Sequence, residues 1–244
     1  MTERVWDKFL TQNDKDHLAA SKQTRIGFGK RPALVLIDVY RGVFGDEPEP
    51  LLDAIKTWPG SCGPVAWDAI PHLQTMLTAA REAEIPVVHV TGINDLQDSI
   101  EPWAVRRMGP AKELSGEELE RRKRRWDIID EVAPLPGEGV LRKAAPSAFY
   151  GTPLAGHLNY KDVDTLIVVG ESTSGCVRAS VVDAAANRYR VVVVEECVFD
   201  RHEAAHAINL FDMDQKYADV MSLADVLEWL AEWKAEKDNA ATSA

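Results

Sequence analysis

The chain has 244 residues, 45% hydrophobic and 27% charged, the make-up of a globular protein that buries a core in one domain of moderate size. Its formal net charge of -11 argues against nucleic acid or an anionic membrane as a partner. Cys62, Cys176 and Cys197 are odd in number and widely spaced, which argues against a disulfide framework or a cysteine zinc site and for a reducing compartment. Met1 to Leu10 has no apolar h-region, and no apolar run nears the roughly 18 residues that a membrane span needs, so the expected address is the cytoplasm.

Residues 3–22 place Val5, Trp6, Phe9 and Leu10 among charges and polar residues, which reads as a short helix and an arm lying on the surface or on a neighbouring subunit. Ala33 to Ile37 is a short, β-branched and leucine-rich run, expected as a strand buried on both faces and ended by Asp38. Val39, Tyr40, Val43 and Phe44 follow at mixed spacing, as a loop wall. Asp46 to Pro64 is rich in Pro and Gly, with a weak helical piece near Leu51 to Lys56, and reads as a loop over a site or a subunit contact. Ala69 to Ala83 repeats apolar residues on one face and predicts an amphipathic helix. Ile85 to Val90 predicts the next strand, with His89 as a satisfied strand-end histidine rather than a ligand.

Residues 91–131 break this rhythm. Glu117 to Arg125 predicts a solvated helix whose arginines solvate a face rather than form a binding patch; Trp103 and Trp126 line a pocket or pack against a neighbouring subunit. Gly139 to Lys143 is a short strand ending in a lysine, and Leu154 to Leu158 a short helix. Leu166 to Val169 is a strand ended by Gly170, followed by a helix over 176–187 and a strand through Val191 to Val194 that Asp200 and Arg201 end. Ala204 to Met213 and Leu223 to Trp233 read as helices. This alternation implies an α/β fold, a parallel sheet of about six strands with helices on both faces. The expected boundaries are an arm over 1–26, one domain over 27–233 and a polar, frayed tail over 234–244.

Three strand ends carry chemistry: Asp38, Lys143 and Cys176. In a parallel sheet those ends share one edge and can converge on a crevice. Cys176 opens a helix after the small polar turn Glu171-Ser172-Thr173-Ser174-Gly175, where the macrodipole favours a thiolate and unpaired backbone N–H groups face a developing oxyanion. The bland alternatives stay open at this point: a buried, inert cysteine, and an Asp38 that merely caps a turn. As a trio, Cys176 attacks a carbonyl carbon, Asp38 moves the proton, and Lys143 holds the acid and lowers the thiol pKa.

The spacing of these three residues, with Pro146-Ser147-Ala148-Phe149 and the run from Gly170 through Ser172-Thr173-Ser174-Gly175-Cys176-Val177-Arg178-Ala179, resembles the isochorismatase-like cysteine hydrolases over about residues 27–230. Within them the N-carbamoylsarcosine amidase branch is the most similar. The resemblance implies an isochorismatase-like three-layer sandwich, with Asp38 as general base, Lys143 as supporting cation and Cys176 as nucleophile. It also implies an oxyanion hole from the backbone N–H groups of Ser172 and Cys176, and a cis Glu171–Ser172 peptide that aims the first. Arg201 falls where the branch binds a substrate carboxylate; an ion pair of Arg201 with Asp200 or Glu203 is the equal alternative. No cofactor is implied. Nicotinamidase relatives hold a metal through an Asp-x-His and a further His, but Leu51 to Trp67 contains no histidine, so no metal site is expected. Glu171 stands where an apolar residue is expected.

The implied activity is cleavage of a linear amide or carbamoyl C–N bond of a small molecule with release of ammonia, as in N-carbamoylsarcosine. Maleamate, biuret or another ureido compound is the close alternative. Isochorismatase proper cleaves a vinyl ether without a cysteine, and a catalytically silent binding module is the reading from another class. The expected partners are the small-molecule substrate and further copies of the chain, as a dimer or tetramer.

Overall fold

Short apolar runs that are too brief for helices pair as strands. Pro32–Ile37 (β1), Val87–Gly92 (β2), Gly139–Lys143 (β3), Thr165–Glu171 (β4), Arg190–Phe199 (β5) and Asp219–Met221 (β6) form a six-stranded sheet in the order β3-β2-β1-β4-β5-β6. Every neighbouring pair is parallel. The structure, a computed structural model, describes residues 4–21, 24–93 and 115–242. Trp103 and much of the segment 91–131 therefore lie outside the described residues.

Period-two alternation divides β1 between two cores. Leu34 and Leu36 face one core; Val35 and Ile37 face the other. Pro64–Glu82 (α4) and Leu223–Thr242 (α9) cover the first face, with Leu73, Met76, Val226 and Leu230 fully or almost fully buried. The second face is covered by Leu154–Tyr160 (α6), Arg178–Ala186 (α7) and Glu203–Lys216 (α8), through Leu158, Val181 and Leu210. Between α4 and β3 a further helix, Gly116–Arg124 (α5), opens on a capping box in which Ser115 and Glu118 exchange bonds. Truncating one core side chain such as Leu73 to Ala costs about 2–5 kcal/mol.

Several bounds differ from the sequence expectation. The α4 helix starts at Pro64, as proline tolerates the first helical turn, and not at Ala69. The last helix runs on past 233 to Thr242. The arm folds as Gln12–Ala20 (α1) after a short turn, and Trp6 is buried against Phe211 of the same chain, at 6.1 Å between ring centroids. Two short helices, Arg41–Phe44 (α2) and Leu51–Thr57 (α3), lie between β1 and α4. The sixth strand spans only Asp219–Met221, too short for a period to show, and is tied down by the Asp219 carboxylate, which accepts from the backbone of Ile26 and Gly27 at 3.1 and 2.6 Å.

The strand order reverses between β1 and β4, and a crevice opens beyond the carboxyl ends of the two strands at such a point. The strands approach closely there: a Cβ on Gly170, whose φ is 111°, would lie 2.0 Å from the Ile37 carbonyl oxygen. Next to it β5 bulges, with Val193 opposite Val168 but Val198 opposite Gly170. The bulge carries β5 on to Phe199, well beyond its apolar run, and delivers Asp200 and Arg201 to the same edge.

Candidate active site

Asp38, Lys143 and Cys176 meet in one buried cluster, each from a strand end or the turn after one. Asp38 follows β1 with a left-handed backbone, φ 54°, a conformation that costs a non-glycine residue energy and gathers at functional sites. Lys143 closes β3 and reaches over β2 to place Nζ 2.7 Å from Asp38 Oδ2 and 3.3 Å from Cys176 Sγ. The other carboxylate oxygen, Asp38 Oδ1, is buried without a hydrogen-bond partner.

Cys176 lies in a π-helical turn, Thr173–Val177, that leads into α7. Val177 N–H donates to the Ser172 carbonyl at 3.1 Å, a π-type closure. The Glu171–Ser172 peptide is cis. Side chains fix the turn from outside. Asp200 Oδ2 accepts from the Ser174 backbone N–H at 2.8 Å and from its hydroxyl at 2.6 Å. His206 Nδ1 sits 2.8 Å from the Thr173 hydroxyl. Ser180 Oγ donates to the Cys176 carbonyl at 2.7 Å and accepts from Ala148 N–H at 2.9 Å, joining the turn to the 145–149 loop.

The electrostatics depart from the sequence expectation. Burial pushes the Cys176 thiol well above the ordinary cysteine range, and the charges of Asp38 and Glu171 push it the same way; Lys143 opposes them without prevailing. These influences favour the neutral Cys176 thiol over the thiolate that a helix end and a lysine alone would favour. Burial also works against the Lys143 ammonium, but the Asp38 charge opposes it and holds the ammonium charged.

Arg201 pairs with neither Asp200 nor Glu203 through its guanidinium. Its Nη1 lies 2.9 Å from Glu171 Oε1, and its Nη2 donates to the Gly60 carbonyl. The link to Asp200 is through the backbone N–H, at 2.8 Å. Glu171 is 4% exposed; burial raises it to about 7, the Asp38 and Asp200 charges adding to the rise and Arg201 opposing it. Cys62 lies on its other side, with Sγ 3.7 Å from Oε1. The Pro- and Gly-rich stretch over 46–64 thus supplies part of this wall, through Gly60 and Cys62. Glu171 stands out in the sequence, and its charge raises the Cys176 thiol; what local reading misses is its pairing with Arg201, which follows another strand, β5.

Tyr40 and Trp126 wall the β1–β2 side. Their rings meet edge-on at 4.7 Å. Burial raises the Tyr40 phenol well above its usual range, with Asp38, Glu171 and Cys176 adding to the rise. Trp126 covers Gly92, where a Cβ would come within 2.3 Å of the indole, and Gly92 stands in register with Lys143.

The cluster lies at the switch point of the sheet, where open α/β folds place ligands. Residues 32–225 match the Isochorismatase domain family. The maleamate amidohydrolase of Pseudomonas putida is 37% identical over 224 residues, 90% of this chain and 96% of that protein. The N-carbamoylsarcosine amidase of an Arthrobacter species is 34% identical over 216 residues, 84% of this chain and 74% of that protein. The crystal structure of N-carbamoylsarcosine amidase from Thermoplasma acidophilum aligns with a TM-score of 0.61 at 26% identity, covering 79% of this chain and 96% of that one. The chain belongs to the isochorismatase family. It is a hydrolase of the amidohydrolase type, acting on C–N bonds of non-peptide linear amides.

Proposed function

We propose that the protein is a cysteine-dependent amidohydrolase that releases ammonia from the terminal amide or carbamoyl group of a small carboxylic acid. The observation that carries this reading is the buried contact of Lys143 Nζ with both Asp38 and the Cys176 sulfur, at 2.7 and 3.3 Å. As Sγ bonds to the amide carbon, its proton passes to Asp38, and Asp38 then hands it to the departing nitrogen. The thiol needs such a base because its own environment resists ionisation. The carbon–nitrogen bond breaks, ammonia leaves, and a thioester, or a thiocarbamate from a carbamoyl substrate, remains. Water attacks it with Asp38 taking the proton, and Sγ leaves as the restored thiol. Lys143 balances the negative charge as it moves between sulfur and carboxylate. The backbone N–H groups of Ser172 and Cys176 serve as the oxyanion hole.

The substrate class draws on the relatives. Maleamate and N-carbamoylsarcosine are both small acids, one ending in an amide and the other in a carbamoyl group. Biuret, which carries no carboxylate, becomes the weaker candidate. The cytoplasm and a homo-oligomeric state remain part of the proposal; light scattering of the purified chain decides the second. No helix among the described residues is long and apolar enough to cross a membrane.

Ammonia release from N-carbamoylsarcosine, other N-carbamoyl amino acids, maleamate, nicotinamide and biuret tests the reading, with wild type and Cys176→Ala in parallel. The expected result is release from the acid amides by wild type only. Release that survives in Cys176→Ala overturns the cysteine mechanism.

A further inference from the structure

Asp200 is 8% exposed and is engaged through both carboxylate oxygens. Oδ2 accepts from the Ser174 backbone N–H at 2.8 Å and from the Ser174 hydroxyl at 2.6 Å, and Oδ1 accepts from the Arg201 backbone N–H at 2.8 Å. A buried carboxylate bonded at both oxygens holds its donors in place, whereas one with an open oxygen, such as Asp38 Oδ1, can take up a proton. The bond at Oδ1 fixes the Asp200 carboxylate against its own backbone and aims Oδ2 at the nucleophile's turn. Both bonds at Oδ2 come from one residue, so Ser174 is held in position and in orientation.

The fold delivers this carboxylate to the turn. Phe199 stands opposite Glu171 in the pairing of β5 with β4, so Asp200 leaves β5 level with the cis Glu171–Ser172 peptide. Further along, on α8, His206 Nδ1 meets the Thr173 hydroxyl at 2.8 Å. Successive turn residues, Thr173 and Ser174, are thus tied to one stretch of chain, Asp200 to His206. The turn's own closure converges on a single carbonyl, since Gly175 N–H and Val177 N–H both donate to Ser172, at 2.9 and 3.1 Å. Ser174 lies in the middle of this closure, and its N–H goes to Asp200 instead. Cys176 follows two residues later, so a shift of Ser174 moves Sγ against Lys143 Nζ, now 3.3 Å away.

We propose that Asp200 is a positioning residue for the reaction: by gripping Ser174 through both its N–H and its hydroxyl, it sets the π-helical turn so that Cys176 meets Lys143 and Asp38 in reactive geometry. The proposal rests on the amidohydrolase reading above and goes beyond it by giving a role to a residue outside the Asp38–Lys143–Cys176 cluster. Asp200 acts through Ser174 and carries no proton in the reaction. A misplacement of about 1 Å at the nucleophile costs on the order of a hundredfold in rate, so loss of the grip is read in kcat.

The test measures ammonia release from the amide that wild type turns over best, together with hydrogen exchange of the backbone over 172–178. Wild type is compared with Asp200→Ala, Asp200→Asn, Ser174→Ala and the double variant Asp200→Ala/Ser174→Ala. In Asp200→Ala kcat falls roughly tenfold to a hundredfold while KM stays within about threefold. Asparagine keeps one acceptor oxygen and recovers part of kcat. Ser174→Ala loses less than Asp200→Ala, because the bond from the backbone N–H survives. In the double variant the two losses do not multiply, since both remove the same contact. Exchange over 172–178 speeds up by about tenfold or more in Asp200→Ala, and exchange in β1 and α4 stays at the wild-type rate. Losses that multiply in the double variant overturn the proposal, because Asp200 then acts elsewhere than through Ser174. A rise in KM with kcat intact overturns it too, and so does a lowered denaturation midpoint in a protein that keeps full kcat, which marks a merely structural role. The exchange needs no substrate, and an unchanged rate over 172–178 sinks the proposal by itself. Absence of ammonia from wild type with every amide of the panel counts against the amidohydrolase reading instead, and the exchange alone then decides whether Asp200 sets the turn.

Discussion

Two buried charge clusters flank β2, and they are built to opposite ends. In one, Glu138 accepts from Arg81 Nε at 2.7 Å and Nη2 at 3.0 Å, meets His89 Nε2 at 3.0 Å, and takes Leu135 N–H at 2.8 Å. Burial alone would raise this carboxyl, yet the bonds from Arg81, Leu135 and His89 hold it at about 2. Only His89 Nδ1 in that group lacks a partner. In the other cluster Asp38 Oδ1 has no partner, Glu171 is pushed up to about 7, and the Cys176 thiol is driven well above its usual range. The first arrangement satisfies a charge. The second leaves Asp38 with a free acceptor oxygen beside a thiol and a carboxyl that burial favours in their protonated forms.

Asp38→Asn breaks the reactive side hardest. The amide cannot take the thiol proton, and kcat for ammonia release is expected to fall about 10²- to 10⁴-fold, the usual share of a positioned general base. Thiol reactivity should move the other way. Asp38 is the largest charge raising the thiol, so its removal, with Lys143 still in place, lowers the Cys176 pKa and enlarges the thiolate fraction at pH 7. Iodoacetamide modification of Cys176 should therefore speed up by about tenfold per unit of downward shift, while turnover is lost. Slower alkylation in the variant would mean that Asp38 activates the resting thiol and does not oppose its ionisation.

The fold and the trio were legible because their signals are local. Apolar runs at 33–37, 85–90, 166–169 and 191–194 are too short for helices, and a lysine, an acid or a cysteine at a strand end stands out. The parts that stayed hidden depend on contacts between distant segments. Asp219–Met221 is too short to show a period and is fixed by its edge position. The bulge opposite Val168 and Gly170, around Glu195 and Glu196, rests on pairing with β4 and leaves no local sign in the sequence. Arg201 has two acids beside it in sequence, and its partner is Glu171 on the neighbouring strand.

Glu171→Gln sharpens the same contrast through stability. The folded carboxyl keeps its proton up to about 7, whereas in the unfolded chain it ionises near the ordinary 4.5. Between those values the folded state binds more protons, so stability falls as pH rises through the window, by on the order of 3 kcal/mol. Denaturation midpoints measured from pH 5 to pH 8 should decline for wild type and flatten for Glu171→Gln. An identical slope in both would show that Arg201 keeps Glu171 ionised throughout.

Glu138→Gln is the complementary and smaller change. It removes charge-assisted bonds to Arg81 and leaves a neutral amide among donors, at an expected cost of about 1–3 kcal/mol at pH 7. Because the folded carboxyl lies below its ordinary value, its contribution is present above about 4.5 and is lost as pH falls through about 2; the variant should lack that acid-side loss. Chemical denaturation at pH 7 and pH 3 reads both effects. Ammonia release at pH 7 should stay at the wild-type rate, since the bonds of Glu138 go to Arg81, Leu135 and His89 and none to Asp38, Lys143 or Cys176. A fall in kcat as large as that of Asp38→Asn would erase the division between the two clusters, because the satisfied acid would then be steering the reaction through His89 and β2.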